Sequence, residues 1–397
     1  MSGGRTVLRR DVAPGEELDP RLAALLPSDD ERARWTLDRT GYGPVVYFHR
    51  DGRHTAAALT TSRAGSAALK IVDVVADDPE LVPGLLDTVI EDARRRGQMC
   101  VKWEARRRAD AEWAEKRGFS RLDAPIRSGP GSEQPQDGYM LWLGTGELAR
   151  RVPYYRQTVA YTCGPVSALL GASLFAAPQV SGEQSWNRNH DREMSVWRRA
   201  TMSFPCEPYG LVVALREMLL RPEEAQVRLY MDREAPFVVP VASGFRADVR
   251  AALAGAALEW YDAQYAEFRE RTVALQNDLR RRARELGIPV HATRLVAADI
   301  VREVADGAVA MVMISQSTMH PGDLGGHWIV VHGVRDGLLM AQDPWVAADR
   351  GESWVDGTQL PLTPSALDEM SSLGGADAYR AVILLSPPEQ DDGPATR

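Results

Sequence analysis

A cysteine placed where a helix appears to begin, with a glutamine six positions before it, is the first feature of this chain that could do chemistry. In "RQTVAYTCGPVSALL" (Arg156 to Leu170), Thr162 is positioned to cap a helix, and Pro165 suits a first turn, where a missing N–H costs nothing. A thiol at a helix N-terminus faces the positive end of the dipole, which favours thiolate, the nucleophilic form. Taken alone, Cys163 reads equally well as a small packing residue. Partners decide the matter. A nucleophilic thiol needs an imidazole to take its proton, and that imidazole needs an acceptor to orient it.

The chain has seven histidines. His49 and His54 flank a turn in the first third, His190 and His291 sit in polar contexts, and His332 lies inside a strand as a structural residue. His320, in "STMHPGDLGGHW", is placed for a role at the rim of a cleft. His327 differs because it opens the strand "HWIVVHGV" after two glycines, which permit close approach of another segment. That strand turns at Asp336-Gly337 and returns as "LLMAQDP", so the hairpin brings an imidazole and the Asp343 carboxylate to one sheet edge. Asp343 before Pro344 also fits a plain strand-ending turn. Gln157 completes the set: its amide and the N–H of Cys163 could face one point and stabilise an oxyanion. Glu193, Trp197 and Tyr209 are candidates for a cleft wall or substrate pocket, as is His320.

The bulk properties exclude other classes. A net charge of −8 and a pI near 5.5 argue against a nucleic acid or an anionic membrane as partner. No apolar run approaches the roughly 18 residues of a membrane span, and the opening residues lack a signal-peptide core. Three cysteines, Cys100, Cys163 and Cys206, with no CxxC pair, predict neither a disulfide scaffold nor a Cys-rich zinc site. No HExxH or similar ligand spacing calls for a metal, so no metal and no cofactor are expected. The expected compartment is a reducing cytoplasm, and the expected partner is a peptide or a small amide or acyl substrate. Oligomeric state is left open.

Two regions must position these residues, because 397 residues exceed one comfortable core. Residues 1–143 read as mixed α/β. They contain a hairpin at Asp51-Gly52, the strand "ALKIVDVVA", an amphipathic helix from Leu81 to Arg96, the strand "QMCVKWEA", a short helix ending in "WAEKRGF", a loop over 128–138 and the strand "YMLWL". Residues 144–152 are the expected linker. Its "GTGELA" fits a dinucleotide fingerprint only superficially, since Pro153 cuts short the helix such a site requires. Residues 153–388 place a helix at Cys163–Phe175 and cluster strands at the end. Between them lies a helical region at 247–286, with Leu253, Leu258, Tyr261, Tyr265, Phe268, Leu275 and Leu279 near one stripe. Residues 389–397 are expected to be a disordered tail.

The element order of the first third resembles the GNAT acyltransferase fold, with "WAEKRGF" similar to that family's late helix-to-strand segment. The family's pyrophosphate loop is replaced here by "ADDPELVPGLL", whose Asp77, Asp78 and Glu80 repel phosphate; the domain is therefore expected to be free of acetyl-CoA. Gln157, "TCGP", "GGHWIVVHGV" and "QDPW" resemble the Gln, Cys-Gly, His and Asp-Pro motifs of the double-glycine-leader (bacteriocin-processing) cysteine peptidases, of the papain-like superfamily. The resemblance implies Cys163 as nucleophile, His327 as general base and acid, Asp343 as orienter and Gln157 as oxyanion donor. The expected fold class is α+β: a GNAT-like α/β domain, then a papain-like α+β peptidase domain. The expected activity is thiol-dependent cleavage of a peptide or amide bond through a thioester. An amide-forming acyltransferase using the same residues, and a bifunctional protein with a live acetyl-CoA domain, are the alternatives.

Overall fold

The computed structural model describes residues 6–11, 18–127, 136–176, 186–201, 206–232, 255–323, 325–372 and 380–388. The expected tail at 389–397 and most of the expected loop at 128–138 lie outside these residues.

Seven strands form the first sheet: β1 (Thr6–Asp11), β2 (Val45–Asp51), β3 (His54–Thr61), β4 (Ala68–Ala76), β5 (Cys100–Ala105), β6 (Ser120–Arg121) and β7 (Asp137–Trp142), ordered β1-β2-β3-β4-β5-β7-β6. The Asp51-Gly52 hairpin forms as its sequence predicts, with Gly52 at φ 56°. All neighbours are antiparallel except β4 and β5, which are joined by the crossover helix α3 (Val82–Arg95). The leucines and valines of α3 recur on one face and bury against Tyr47, Ile71 and Trp103. Two short helices before β2, α1 (Pro20–Ala24) and α2 (Asp29–Thr36), cover the opposite face through Leu22 and Trp35. Helix α4 (Arg108–Lys116) follows β5. This is the GNAT-like α/β order expected from the sequence.

The acidic turn ahead of α3 is occupied by its own contacts. Asp77 accepts the N–H of Thr55 at 2.8 Å and Asp78 that of Glu80 at 3.0 Å. Gly84, in the first turn of α3, is needed for packing: a Cβ there would lie 2.5 Å from the His49 ring. Where β4 and β5 part beyond Ile71 and Trp103, Arg107 spans the gap and donates to the carbonyl of Val74 and to Asp110.

The second sheet also has seven strands: β8 (Gln226–Met231), β9 (Val290–His291), β10 (Val309–Ser315), β11 (Gly326–Arg335), β12 (Leu338–Gln342), β13 (Leu360–Leu362) and β14 (Ala381–Ser386), ordered β13-β12-β11-β10-β14-β8-β9. Helix α5 (Cys163–Ala172) is buried along its whole length and packs on one face with Met311, Trp328 and Val330. Such approach needs small residues: a Cβ on Gly171 would sit 3.0 Å from Leu385. Helices α6 (Trp186–Ala200) and α7 (Pro208–Ala214) pack on α5's side, and the helices Ala297–Ala305 and Pro364–Met370 cover the other face. The expected central helix is α8 (Ala256–Glu285), of which Leu275 and Leu279 reach the core. Leu253 and the side chains of Leu258, Tyr261, Tyr265 and Phe268 lie outside the described residues.

The two regions are joined by buried contacts. Ala68, Cys100, Leu122 and Met140 of the first form one apolar cluster with Tyr154, Val346, Trp354 and Val355 of the second. Lys102 on β5 is fully buried and donates to the carbonyls of Val355 (3.0 Å) and Asp356 (3.4 Å); burial pushes its ammonium down to about 8. Residues 144–152 are pinned as well. The Asp336 carboxylate at the β11–β12 turn accepts from Trp142 Nε1 (2.7 Å) and Gly146 N (2.9 Å). No helix follows "GTGELA", as Pro153 requires.

Candidate active site

Cys163 is the first residue of α5, so its thiol sits at the helix's positive end, as expected. The cap differs. Thr162 makes no capping bond; its hydroxyl donates to the carbonyl of Val159 at 2.8 Å and to Glu193. An acceptor carboxylate behind the loop outcompetes the weak cap.

His327 and Asp343 meet because of an irregularity in their hairpin. Near the turn, Arg335 pairs with Leu338 and Gly333 with Met340, but further along Val331 pairs with Ala341 and Val330 with Gln342. His332 is therefore an extra, unpaired residue on β11. Side chains alternate faces along a strand, so one extra residue exchanges the faces beyond it. Continued past Val330–Gln342, this register sets Asp343 opposite Ile329, two residues from His327 and on the same face. A regular hairpin would place Asp343 opposite Val330, three residues from His327, and the two side chains would point apart. His332 itself is fully buried, and burial pushes its imidazole down to about 4, which keeps it uncharged.

The result is a connected chain of donors and acceptors. His327 Nε2 lies 2.7 Å from Asp343 Oδ1, and the Cys163 side chain is close enough to act on the imidazole's charge. Burial opposes charge on His327, but the Asp343 carboxylate and the Cys163 thiolate outweigh it and push the imidazole up to about 10. Asp343 is completely buried and its carboxylate is saturated: Oδ1 also accepts from Trp345 N (2.9 Å), while Oδ2 accepts from His320 Nε2 (2.8 Å) and Arg63 Nη1 (2.6 Å). Burial alone would raise its pKa, yet Arg63, His327 and His320 together hold it well below the usual carboxylate range.

Gln157 is tied to the same place by its backbone, which donates to the carbonyl of Pro344 at 3.1 Å. Its Nε2 donates to the carbonyl of Val159 at 2.8 Å, which leaves one N–H of the amide. Its Oε1 is buried without a hydrogen-bond partner among the described residues.

The remaining candidates are placed differently from the sequence expectation. Glu193 on α6 is fully buried. It accepts from Thr158 N (2.9 Å), Thr158 Oγ1 (2.9 Å), Tyr155 OH (2.8 Å) and Thr162, and so braces the loop that carries Gln157 up to Cys163. Glu193→Gln should lower stability by about 1–3 kcal/mol, because an amide cannot accept from all these donors; thermal unfolding measures it. Tyr209 is buried in the core beneath α5, and Trp197 packs against that core and against Tyr161, ring centroids 5.0 Å apart. His320 is not at a rim but fully buried behind Asp343. Cys206 is buried against Gly164, and burial, with Cys163 nearby, pushes its thiol up; burial also pushes the Cys100 thiol up to about 11.

Sequence reasoning missed Arg63, Glu352 and the true place of His320. Arg63 follows β3 in "TTSRAGS", a stretch that reads as a solvated loop, and no spacing rule links it to Asp343, 280 positions away. One ligand atom each from His320, His327 and Asp343 falls within 4.8 Å of the others, close enough for a metal ion. The Arg63 guanidinium already lies 2.6 Å from that carboxylate and opposes a second cation there.

A family model described as "Peptidase_C39 like family" matches residues 152–256 and 261–386. No curated protein is significantly similar. Solved structures similar to the N-terminal region include a Bacillus subtilis acetyltransferase in complex with CoA, at 17% identity over 35% of this chain and 99% of that one, TM-score 0.26. A Staphylococcus aureus N-acetyltransferase matches at 14% identity over 35% and 99%, TM-score 0.26. The Escherichia coli ribosomal-protein-S18-alanine N-acetyltransferase matches at 13% over 34% and 91%, TM-score 0.25. Among the described residues, no helix is long and apolar enough to cross a membrane.

Proposed function

The chain belongs to the Peptidase_C39 like family, and from that premise we propose that it is a thiol-dependent acyl-transfer enzyme that cleaves a peptide or amide bond through a thioester on Cys163. One observation carries this reading: His327 Nε2 lies 2.7 Å from the Asp343 carboxylate, and its imidazole is acted on by the Cys163 side chain at the N-terminus of a buried helix. An imidazole whose pKa is raised to about 10 is held in its charged form near neutral pH.

In this reading the thiolate attacks the carbonyl carbon and the C–S bond forms as the carbonyl oxygen takes the charge. The N–H of Cys163 and the spare amide N–H of Gln157 stabilise that oxygen. Collapse breaks the C–N bond while His327 gives its proton to the leaving amine. Neutral His327 then takes a proton from water, whose oxygen attacks the thioester; the C–S bond breaks, the acid leaves, and the thiolate–imidazolium pair is restored. An amine in place of water would yield an amide by the same steps, and product analysis with and without a candidate amine separates these outcomes.

Two measurements test the proposal. Iodoacetamide should modify Cys163 well below pH 8 and leave Cys100 and Cys206 unmodified, since burial disfavours their thiolates. Intact mass after incubation with candidate peptides should show an acyl adduct that maps to Cys163. Equal alkylation of the three thiols from pH 5 to 9 would defeat the reading.

A further inference from the structure

The orienting carboxylate of the site receives its counter-charge from the other domain. Arg63, in the loop between β3 and β4, is completely buried, and its guanidinium is divided between two acids of the second domain. Nη1 donates to Asp343 Oδ2 at 2.6 Å, Nε to Glu352 Oε1 at 2.6 Å, and Nη2 to Glu352 Oε2 at 2.9 Å. Glu352 in turn accepts the N–H of Ala347 at 2.9 Å and lies 3.3 Å from His320 Nδ1, whose other nitrogen bonds Asp343. Tyr42, also from the first domain, approaches His320 Nδ1 at 3.4 Å. The two domains meet at further points: a Cβ on Gly41 would lie 2.9 Å from Pro321, and Ala67 N donates to the carbonyl of Pro361 at 2.9 Å.

We propose that Arg63 is a positioning residue of the thiol site, so that the GNAT-like domain serves as a structural half of the peptidase centre rather than as an independent catalyst. The inference rests on the thiol-enzyme reading above. Two buried acids facing each other without a cation would lose charge or move apart. With Arg63 between them, Asp343 stays ionised, keeps Oδ1 for His327, and fixes which imidazole nitrogen faces Cys163. The groups that bear on Asp343 are His327 from β11, His320 from the preceding loop, Arg63, Glu352 and Asp356 behind Arg63, and Tyr154 and Arg156 ahead of α5; Tyr42 and Arg350 act at one remove.

The test is the pH dependence of Cys163 alkylation, by iodoacetamide and peptide mapping, in the full-length chain. Wild type, Arg63→Lys and the charge-balanced double variant Arg63→Gln/Glu352→Gln are compared; the double variant leaves no unpaired Glu352, and near-UV circular dichroism checks that it is folded. Because Arg63 touches Asp343 and Glu352 does not, the acid limb should move up by about one to two pH units in the double variant. The rate at pH 6 should fall by about 10–100-fold, and Arg63→Lys should recover part of both. An unchanged acid limb in a folded double variant, with wild-type Cys163 reactive at low pH, overturns the role of Arg63 and leaves the enzyme reading standing. Wild-type Cys163 no more reactive than a free thiol overturns both.

Discussion

His327→Ala should abolish turnover and should also erase a pH dependence of stability on the alkaline side. The first effect follows from chemistry: without the imidazole no group is placed to hold the thiolate's counter-charge or to protonate the leaving amine. The second follows from linkage. The imidazole's pKa is raised from an ordinary 6.5 to about 10 in the folded protein. A raised pKa means the folded state holds the proton more tightly, so this stabilisation is fully present below about pH 6.5. It is lost as pH climbs towards 10. Its size is on the order of a few kcal/mol, read by chemical unfolding at pH 6 and pH 10 in both proteins. Cys163→Ala should be equally inactive, but it retains Asp343 and so should keep part of the dependence. A His327→Ala variant with the wild-type pH profile would sink this account of the imidazole.

Asp343→Asn carries the second large expected effect. An orienter probed in isolation predicts a modest loss, but the saturated contacts of this carboxylate predict more. Its two oxygens accept from Arg63, His320, His327 and Trp345 N. An asparagine must turn an NH2 towards one pair of these donors and leaves Arg63 with a single acid partner. Stability should fall by about 3–5 kcal/mol, the usual cost of breaking a buried ion pair from one side, and activity by about 10⁴-fold, as when an orienting aspartate becomes amide. Denaturant unfolding and kcat/KM check the two separately. A folded Asp343→Asn protein within tenfold of wild-type activity would show that the carboxylate does not orient His327.

How much of this was legible in the sequence depends on the range of each interaction. Cys163 at a helix start and the Asp336-Gly337 turn announce themselves through local residue types, because a proline in a first turn and an Asp-Gly turn are short-range demands, even though the expected Thr162 cap does not form. The element order of the first domain was readable for the same reason. The face shared by His327 and Asp343 was not: in "IVVHGV" Gly333 is the one hint of a bulge, and it does not say which neighbour will be left unpaired, since that is settled by what the two strands pack against. Nor was the bracing by Glu193, which is set by the folding of α6 behind the loop. Arg63 shows the limit most plainly. A buried guanidinium and an exposed one share the same local sequence, and only the docking of two sheets tells them apart.

The unpaired His332 imposes an even–odd rule on any natural or engineered change of length. Removing it, or adding one residue elsewhere between His327 and the turn, would rotate the base away from its aspartate while leaving composition, charge and the four motifs intact. The tip beyond Arg335 and Leu338 is free of that rule, because residues added there do not alter the pairing on the way back. Relatives that match every motif but carry a single-residue gap on one arm of this hairpin are therefore where inactive members should be sought.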